Sequence, residues 1–263
     1  MNLSQCRALL TGASGGIGQA IVEQLATRGA RLLLVGRQTD ALQALARRYP
    51  NNLEIVQADI SQRNGREAVV AAAQRFGGIN TLINGAGLNH FSLLEQHDED
   101  QLAQMIELNV TSTLQLTHRL LPILRQQGRS LVINLGSTFG SIGYPGFTAY
   151  CASKFALRGF SEALRRELAD TQIKVLYFAP RATQTRMNSD TVVAMNNELK
   201  VAMDAPETVA AQLANAIDKE TEESYLGWPE KLFVRLNSLL PRVVDQALRK
   251  QLPTIQRFVR HND

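Results

Sequence analysis

Short apolar runs alternate with longer stretches of helical periodicity from the N-terminus to about Trp228. The runs 8–11, 31–35, 53–57, 81–84, 130–135 and 174–178 are four to six residues long and rich in Leu, Val and Ile. Continuous apolar character over so few residues predicts strands buried on both faces. Between them, 16–28, 39–49, 63–76, 98–127 and 148–169 carry apolar positions at helical spacing. Repeated strand–helix–strand units predict a parallel sheet with helices on both faces. No linker, repeat or low-complexity tract interrupts the series, so residues 1–263 are expected to form a single doubly wound, Rossmann-type α/β domain.

The first helical pattern is preceded by Thr11-Gly12-Ala13-Ser14-Gly15-Gly16-Ile17-Gly18. A dinucleotide site needs glycine at such a strand–turn–helix junction. Glycine permits the tight turn, lets backbone approach the pyrophosphate, and allows helix to pack closely on strand. The helix N-terminus then offers free N–H groups to phosphate. Gly12, Ser14, Gly15, Gly16, Ile17 and Gly18 are therefore candidate cofactor residues. Roughly 20 residues further on, such folds place the side chain that reads the adenosine ribose. Here it is Arg37 in Val35-Gly36-Arg37, with no acid at the strand end, which favours the 2′-phosphate of NADP(H) over NAD(H).

Tyr150-Cys151-Ala152-Ser153-Lys154 places a phenol and an ammonium four residues apart, on one face of the expected helix. A phenol titrating near pH 10 must drop by about 3 to exchange protons readily at neutral pH, and a neighbouring cation favours that. Ser137 lies thirteen residues upstream, at the end of the run 130–135. Strand C-termini are where ligands sit in open parallel sheets, and a hydroxyl there can stabilise charge developing on a substrate oxygen. Asn109, a weak helix former, stands in the middle of the pattern 98–127.

Thr-Gly-x-x-x-Gly-x-Gly followed by Asn109, Ser137, Tyr150 and Lys154, in that order and spacing, resembles the short-chain dehydrogenase/reductase family over roughly residues 6–185. The resemblance implies hydride transfer between a nicotinamide and a ketone, aldehyde or secondary alcohol. It makes Tyr150 the general acid/base and Ser137 the group that polarises the carbonyl. It gives Lys154 the ribose hydroxyls and the tuning of Tyr150, and Asn109 the support of a proton relay. It adds Asp59 and Ile60 at the adenine, Asn84 and Ala86 beside the cofactor, and Pro180 and Thr185 at the nicotinamide. Homodimers or homotetramers are common in that family.

The chain departs from the pattern in places. Gly85 replaces the second asparagine of the usual Asn-Asn-Ala-Gly, and Arg181 stands at the usual glycine after Pro180. A positive φ there would strain an arginine. Otherwise the guanidinium is placed to reach pyrophosphate or an anionic substrate, or simply to face solvent. Met187, Met195 and Met203 lie in 186–204, which the resemblance makes a substrate lid, and this suits an apolar or acyl-type substrate. Residues 229–263 form a basic extension: 231–260 contains seven Lys or Arg and one acid, Asp245. Such a stretch fits a membrane surface or an acidic partner, and equally a helix packed on its own domain or on a second subunit.

Composition narrows the rest. A net charge of +4 suits an anionic ligand but is too small to imply nucleic acid. Cys6 and Cys151 have neither disulfide nor metal-site spacing and read as buried thiols. His90, His97, His118 and His261 form no ligand cluster, so no metal is expected. Met1 to Arg7 lack an apolar signal stretch, and a cytoplasmic location is expected. A sugar-nucleotide epimerase shares Tyr-x-x-x-Lys but usually has a longer chain and a different glycine spacing. A non-enzymatic nucleotide sensor would not need the intact set of polar residues.

Overall fold

A computed structural model describes residues 1–260 of the chain. The strands are β1 (Arg7–Thr11), β2 (Arg31–Gly36), β3 (Leu53–Gln57), β4 (Thr81–Asn84), β5 (Ser130–Leu135), β6 (Ile173–Ala179) and β7 (Glu223–Tyr225). All pair in parallel, in the order β3-β2-β1-β4-β5-β6-β7. The order reverses between β1 and β4, which opens a crevice beyond their C-terminal ends.

The helices are α1 (Gly16–Ala26), α2 (Asp40–Arg48), α3 (Arg63–Arg75), α4 (Glu99–Ile106), α5 (Ser112–Gln126) and α6 (Thr148–Glu167), followed by α7 (Asp190–Glu198), α8 (Pro206–Lys219), α9 (Trp228–Leu239) and α10 (Pro241–Arg260). The period-two alternation of the strands divides them between two cores. Leu10, Leu32, Leu34, Ile133 and Phe178 face α1, α2 and α8, whose Leu25, Leu42 and Leu213 complete the layer. Leu9, Leu33, Leu82, Val132 and Val175 face α3, α5 and α6, which supply Val69, Leu120 and Leu164. A third cluster lies off the sheet, where α7 and α10 meet Phe91, Phe147 and Cys151.

The expected single domain with six central strands forms as the pattern predicts. Differences lie where apolar signal is thin. β7 is three residues in a polar stretch and gains its order by pairing with β6. The continuous helix expected over 98–127 is interrupted by a π-helical turn at Glu107–Thr111. The basic extension folds as the α9–α10 hairpin.

Candidate active site

The glycine turn fits a pyrophosphate on steric grounds. Gly12 has φ +73°, and a Cβ there would lie 2.5 Å from the Gly85 carbonyl oxygen; one on Gly18 would lie 2.2 Å from the Gly12 oxygen. Backbone thus approaches backbone so closely that only hydrogen fits. α1 begins after Gly15 with no side-chain cap, so the first-turn N–H groups of Gly16, Ile17 and Gly18 remain available to an anion. Ser14, Gly15 and Gly16 are exposed along the cleft. Thr185 reaches over the turn from the other side: a Cβ on Gly16 would meet its Cγ2 at 2.9 Å. The Pro180 carbonyl accepts from Thr138 N–H at 3.1 Å, which ties the loop after β6 to the segment carrying Ser137.

Other cofactor candidates line the same crevice with different side-chain duties. Arg37 is exposed at the end of β2, and no described residue pairs with its guanidinium. Asp59 Oδ1 accepts from Ser61 N–H (2.9 Å) and Ser61 Oγ (2.7 Å), shaping the turn before α3, and Ile60 is buried beside it. The Asn84 amide points away from the crevice into a buried polar chain, donating to Thr117 Oγ1 at 3.0 Å and Asn134 Oδ1 at 2.8 Å. Both bonds use its Nδ2, and its buried Oδ1 has no hydrogen-bond partner among the described residues. Ala86 N–H and Gly85 N–H both donate to Thr11 Oγ1, at 3.2 and 3.0 Å. Thr11 therefore anchors the platform after β4.

Ser137, Tyr150 and Lys154 converge beyond β5. Burial pushes the pKa of the Tyr150 phenol up to about 12, against a smaller lowering by the Ser137 side chain. Lys154 is 7 % exposed, lies 5.6 Å from the centre of the Tyr150 ring, and donates from Nζ to the Leu135 carbonyl at 2.9 Å. Burial lowers its pKa from 10.5 to about 8. Desolvation of the phenolate dominates, and the influence opposing it is Ser137, where the sequence pointed to Lys154.

Asn109 occupies the π-helical turn, 1 % exposed. The widened turn aims its amide inward, where Nδ2 donates to Leu88 O (2.9 Å) and Ser153 Oγ (3.0 Å) and Oδ1 accepts from Leu88 N–H (2.7 Å). It clamps the segment after β4 to α6, the helix that carries Tyr150 and Lys154. Such turns are frequent at functional sites.

Two residues escaped the sequence reading, and a third, Arg181, was foreseen only without its partners. Tyr177 on β6 lies under Ser137: its hydroxyl donates to Ser137 O at 3.1 Å, and a Cβ on Gly136 or Gly140 would strike it. Ser153 completes the Asn109 clamp. Arg181 is neither strained, since it is not among the residues with positive φ, nor free for a ligand. Its guanidinium grips Asp204 through two bonds of 2.7 and 3.0 Å and reaches Glu230 at 3.4 Å. These carboxylates raise its pKa, Asp204 foremost. Asp204 itself bridges in parallel to Thr183, so the arginine fastens the loop after β6 to the start of α9.

Around Tyr150, the third cluster supplies an apolar wall of Phe91, Phe147, Val192, Met195, Ile255 and Val259, with Phe139 and Tyr144 packed against it. Of the three methionines in 186–204, Met195 is in this wall, Met187 is 48 % exposed, and Met203 Sδ accepts from Asn196. Arg257 on α10 pairs with Glu198 on α7, strapping the two helices together. Among the described residues no group of three or more His, Cys, Asp or Glu is placed to hold a metal, and no helix is long and apolar enough to cross a membrane. His261 lies outside the described residues.

A doubly wound sheet with a glycine turn at its switch point and a Tyr–Lys–Ser group across the crevice defines a nicotinamide-dependent oxidoreductase acting on CH–OH or C=O. The chain belongs to the short chain dehydrogenase family, whose model matches residues 7–196. It is 31% identical to a 3-oxoacyl-(acyl-carrier-protein) reductase of Vibrio cholerae over 235 residues, covering 89% of this chain and 94% of that protein. A short-chain dehydrogenase structure from Streptomyces avermitilis matches with TM-score 0.79 and 29% identity, over 98% of each chain. One from Burkholderia cenocepacia, in complex with NADP, matches with TM-score 0.81 and 26% identity, over 94% of this chain and 99% of that one.

Proposed function

We propose that this enzyme is an NADP(H)-dependent carbonyl reductase, working reversibly as an alcohol dehydrogenase, on an apolar or acyl-type substrate. The observation that carries the reading is the convergence of Ser137, Tyr150 and a buried Lys154 beside a crevice whose glycines leave room for a dinucleotide. Gly12 to Gly18 would hold the pyrophosphate, and Arg37 would hold the 2′-phosphate. Pro180 and Thr185 would border the nicotinamide, and Lys154 would reach the ribose hydroxyls. The bound cofactor supplies or accepts a hydride at the substrate carbon.

The protein's own residues manage the oxygen. Ser137 Oγ donates to the carbonyl oxygen and stabilises the charge that builds as the C=O π electrons move onto it. Tyr150 Oη then gives up its proton to that oxygen, completing the O–H bond of the alcohol. A phenol held protonated up to about pH 12 is in the right state to donate. The Lys154 cation, below about pH 8, stabilises the phenolate left behind. Asn109 and Tyr177 are positioning residues, one holding α6 and the other the Ser137 backbone.

The NADP(H) preference is supported by the unpaired Arg37 and by the absence of an acid at the end of β2. The apolar wall around Tyr150 supports a hydrophobic substrate, and the acyl class agrees with the printed activity of the Vibrio cholerae relative. The test is NADPH consumption across aldehydes, ketones and 3-oxoacyl compounds of graded chain length. Each methylene buried in the transition state contributes up to about 0.8 kcal/mol, so kcat/KM should climb with chain length. A flat or falling series would remove the apolar-substrate assignment. Tyr150→Phe should lower kcat by roughly 10² or more with cofactor binding nearly unchanged. Near-normal turnover in that variant would remove the proton donor.

A further inference from the structure

The α9–α10 hairpin carries an apolar face that the domain does not use. α9 packs inward through Val234, which is 5 % exposed, and through Asn237, whose Nδ2 donates to the Ser141 carbonyl at 2.9 Å. On the opposite side, positions 228, 232, 235 and 239 recur at i, i+4, i+7 and i+11 and form one stripe. Three of its members are apolar and open to solvent: Trp228 at 75 %, Leu232 at 56 % and Leu239 at 79 %. Leu240 and Val243 extend it around the corner into α10, with 55 % and 50 % exposed.

Cations border this stripe. Lys231, Arg235 and Arg242 are exposed, and no described residue forms an ion pair with any of them. The hairpin's acids do little to neutralise them. Glu230 is engaged by Arg181, and Asp245 stands one turn beyond Arg242. Together these observations define an apolar strip with a cationic border, a tryptophan at one end and a leucine corner at the other.

We propose that this face docks the enzyme onto an anionic lipid surface, with α9 lying in the headgroup plane. Charge complementarity selects this occupant. A second copy applied through the same face about a two-fold axis would bring this group of three cations against the same group of its partner, whereas anionic headgroups neutralise all three. The shape agrees: apolar side chains in a row suit a deformable bilayer interface, where tryptophan is also favoured. At twelve residues α9 lies on a membrane and does not span it.

Trp228 is the chain's sole tryptophan, so its emission reports on this face alone. The full-length protein is titrated with vesicles of phosphatidylcholine, with and without an equal part of phosphatidylglycerol, some carrying brominated acyl chains. The proposal predicts a blue shift, bromine quenching and co-flotation with the anionic vesicles, all weakened by salt. Each of Lys231→Gln, Arg235→Gln and Arg242→Gln should weaken partitioning roughly fivefold. Leu232→Ser with Leu239→Ser should abolish flotation while leaving NADPH turnover unchanged. Emission unaltered by anionic vesicles overturns the proposal, as does equal, salt-insensitive binding to neutral ones. So does a blue shift that follows protein concentration with a doubled mass and no lipid, which assigns the face to a second copy. Should the double variant fail to fold, quenching in the unaltered protein decides the matter alone.

Discussion

Replacing Lys154 with methionine separates what the ammonium does for the reaction from what it costs the fold. The side chain is 7 % exposed, and its one hydrogen-bond partner is the Leu135 carbonyl, an uncharged group. Burial lowers its pKa from 10.5 to about 8. Each tenfold change in proton affinity is worth about 1.4 kcal/mol, so holding the cation in this site forfeits about 3 kcal/mol of stability at pH 7. Methionine matches the length and removes the charge, which recovers that amount. It also strands the Leu135 carbonyl, at a cost of about 1–3 kcal/mol. The expected net is a gain of about 1 kcal/mol, or roughly 2–4 °C in Tm for a chain of this size, together with a loss of at least about 10² in kcat/KM. The sign depends on pH. A lysine whose folded pKa lies below its unfolded value carries its full penalty below about pH 8 and sheds it as pH rises toward 10.5. The stability advantage of the variant should therefore shrink above pH 8 and reverse at about pH 9. Urea unfolding of both proteins from pH 7 to 10 measures this. A variant destabilised by more than about 2 kcal/mol at pH 7, with the pH slope of the original, would refute the reasoning and make Lys154 a structural strut.

Other outcomes follow from the same geometry. Arg37→Ala should weaken NADPH roughly ten- to a hundredfold and leave NADH little changed, because one charge-assisted phosphate contact is lost; equal weakening of both cofactors would reject the assignment. The pH profile of kcat/KM for carbonyl reduction should fall above about pH 8, as Lys154 loses its charge, with no break from Tyr150, whose proton holds to about 12; a profile level through pH 10 contradicts this. Arg181→Gln breaks a charged bond pair to Asp204 that is only partly exposed, so it should lower Tm by several degrees and raise KM more than it lowers kcat. An unchanged Tm would mean that the clamp contributes nothing.

Most of the architecture was legible because strands buried on both faces write unmistakable apolar runs. β7 was not, since three residues, two of them polar, hold no periodicity, and their order comes from β6. The candidate site residues stood out through spacing: Tyr150 and Lys154 sit one helical turn apart, and Ser137 follows a strand end. Asn109 carried a weaker signal, a poor helix former inside a helical pattern, and the π-helical turn is its structural counterpart. Roles that depend on long-range partners left no trace. Nothing near Arg181 in sequence announces Asp204 or Glu230, which it meets only once the loop after β6 folds back, and nothing near Tyr177 announces Ser137, which it meets only once β6 pairs with β5. Asn84 shows the reverse: its position at a strand end was readable, but its amide turns inward to Thr117 and Asn134, and only the third dimension reveals that.

The most direct test of the account follows the hydride itself. The enzyme is supplied with NADPH deuterated at C4 and a medium-chain ketone, and the alcohol is analysed by mass spectrometry and proton NMR, beside the Tyr150→Phe variant. The account predicts one deuterium on the carbinol carbon, transferred from one face of the nicotinamide, with product formation lowered by roughly 10² or more in the variant. NADPH oxidation that leaves no deuterium at that carbon, or a variant as fast as the original protein, would contradict it.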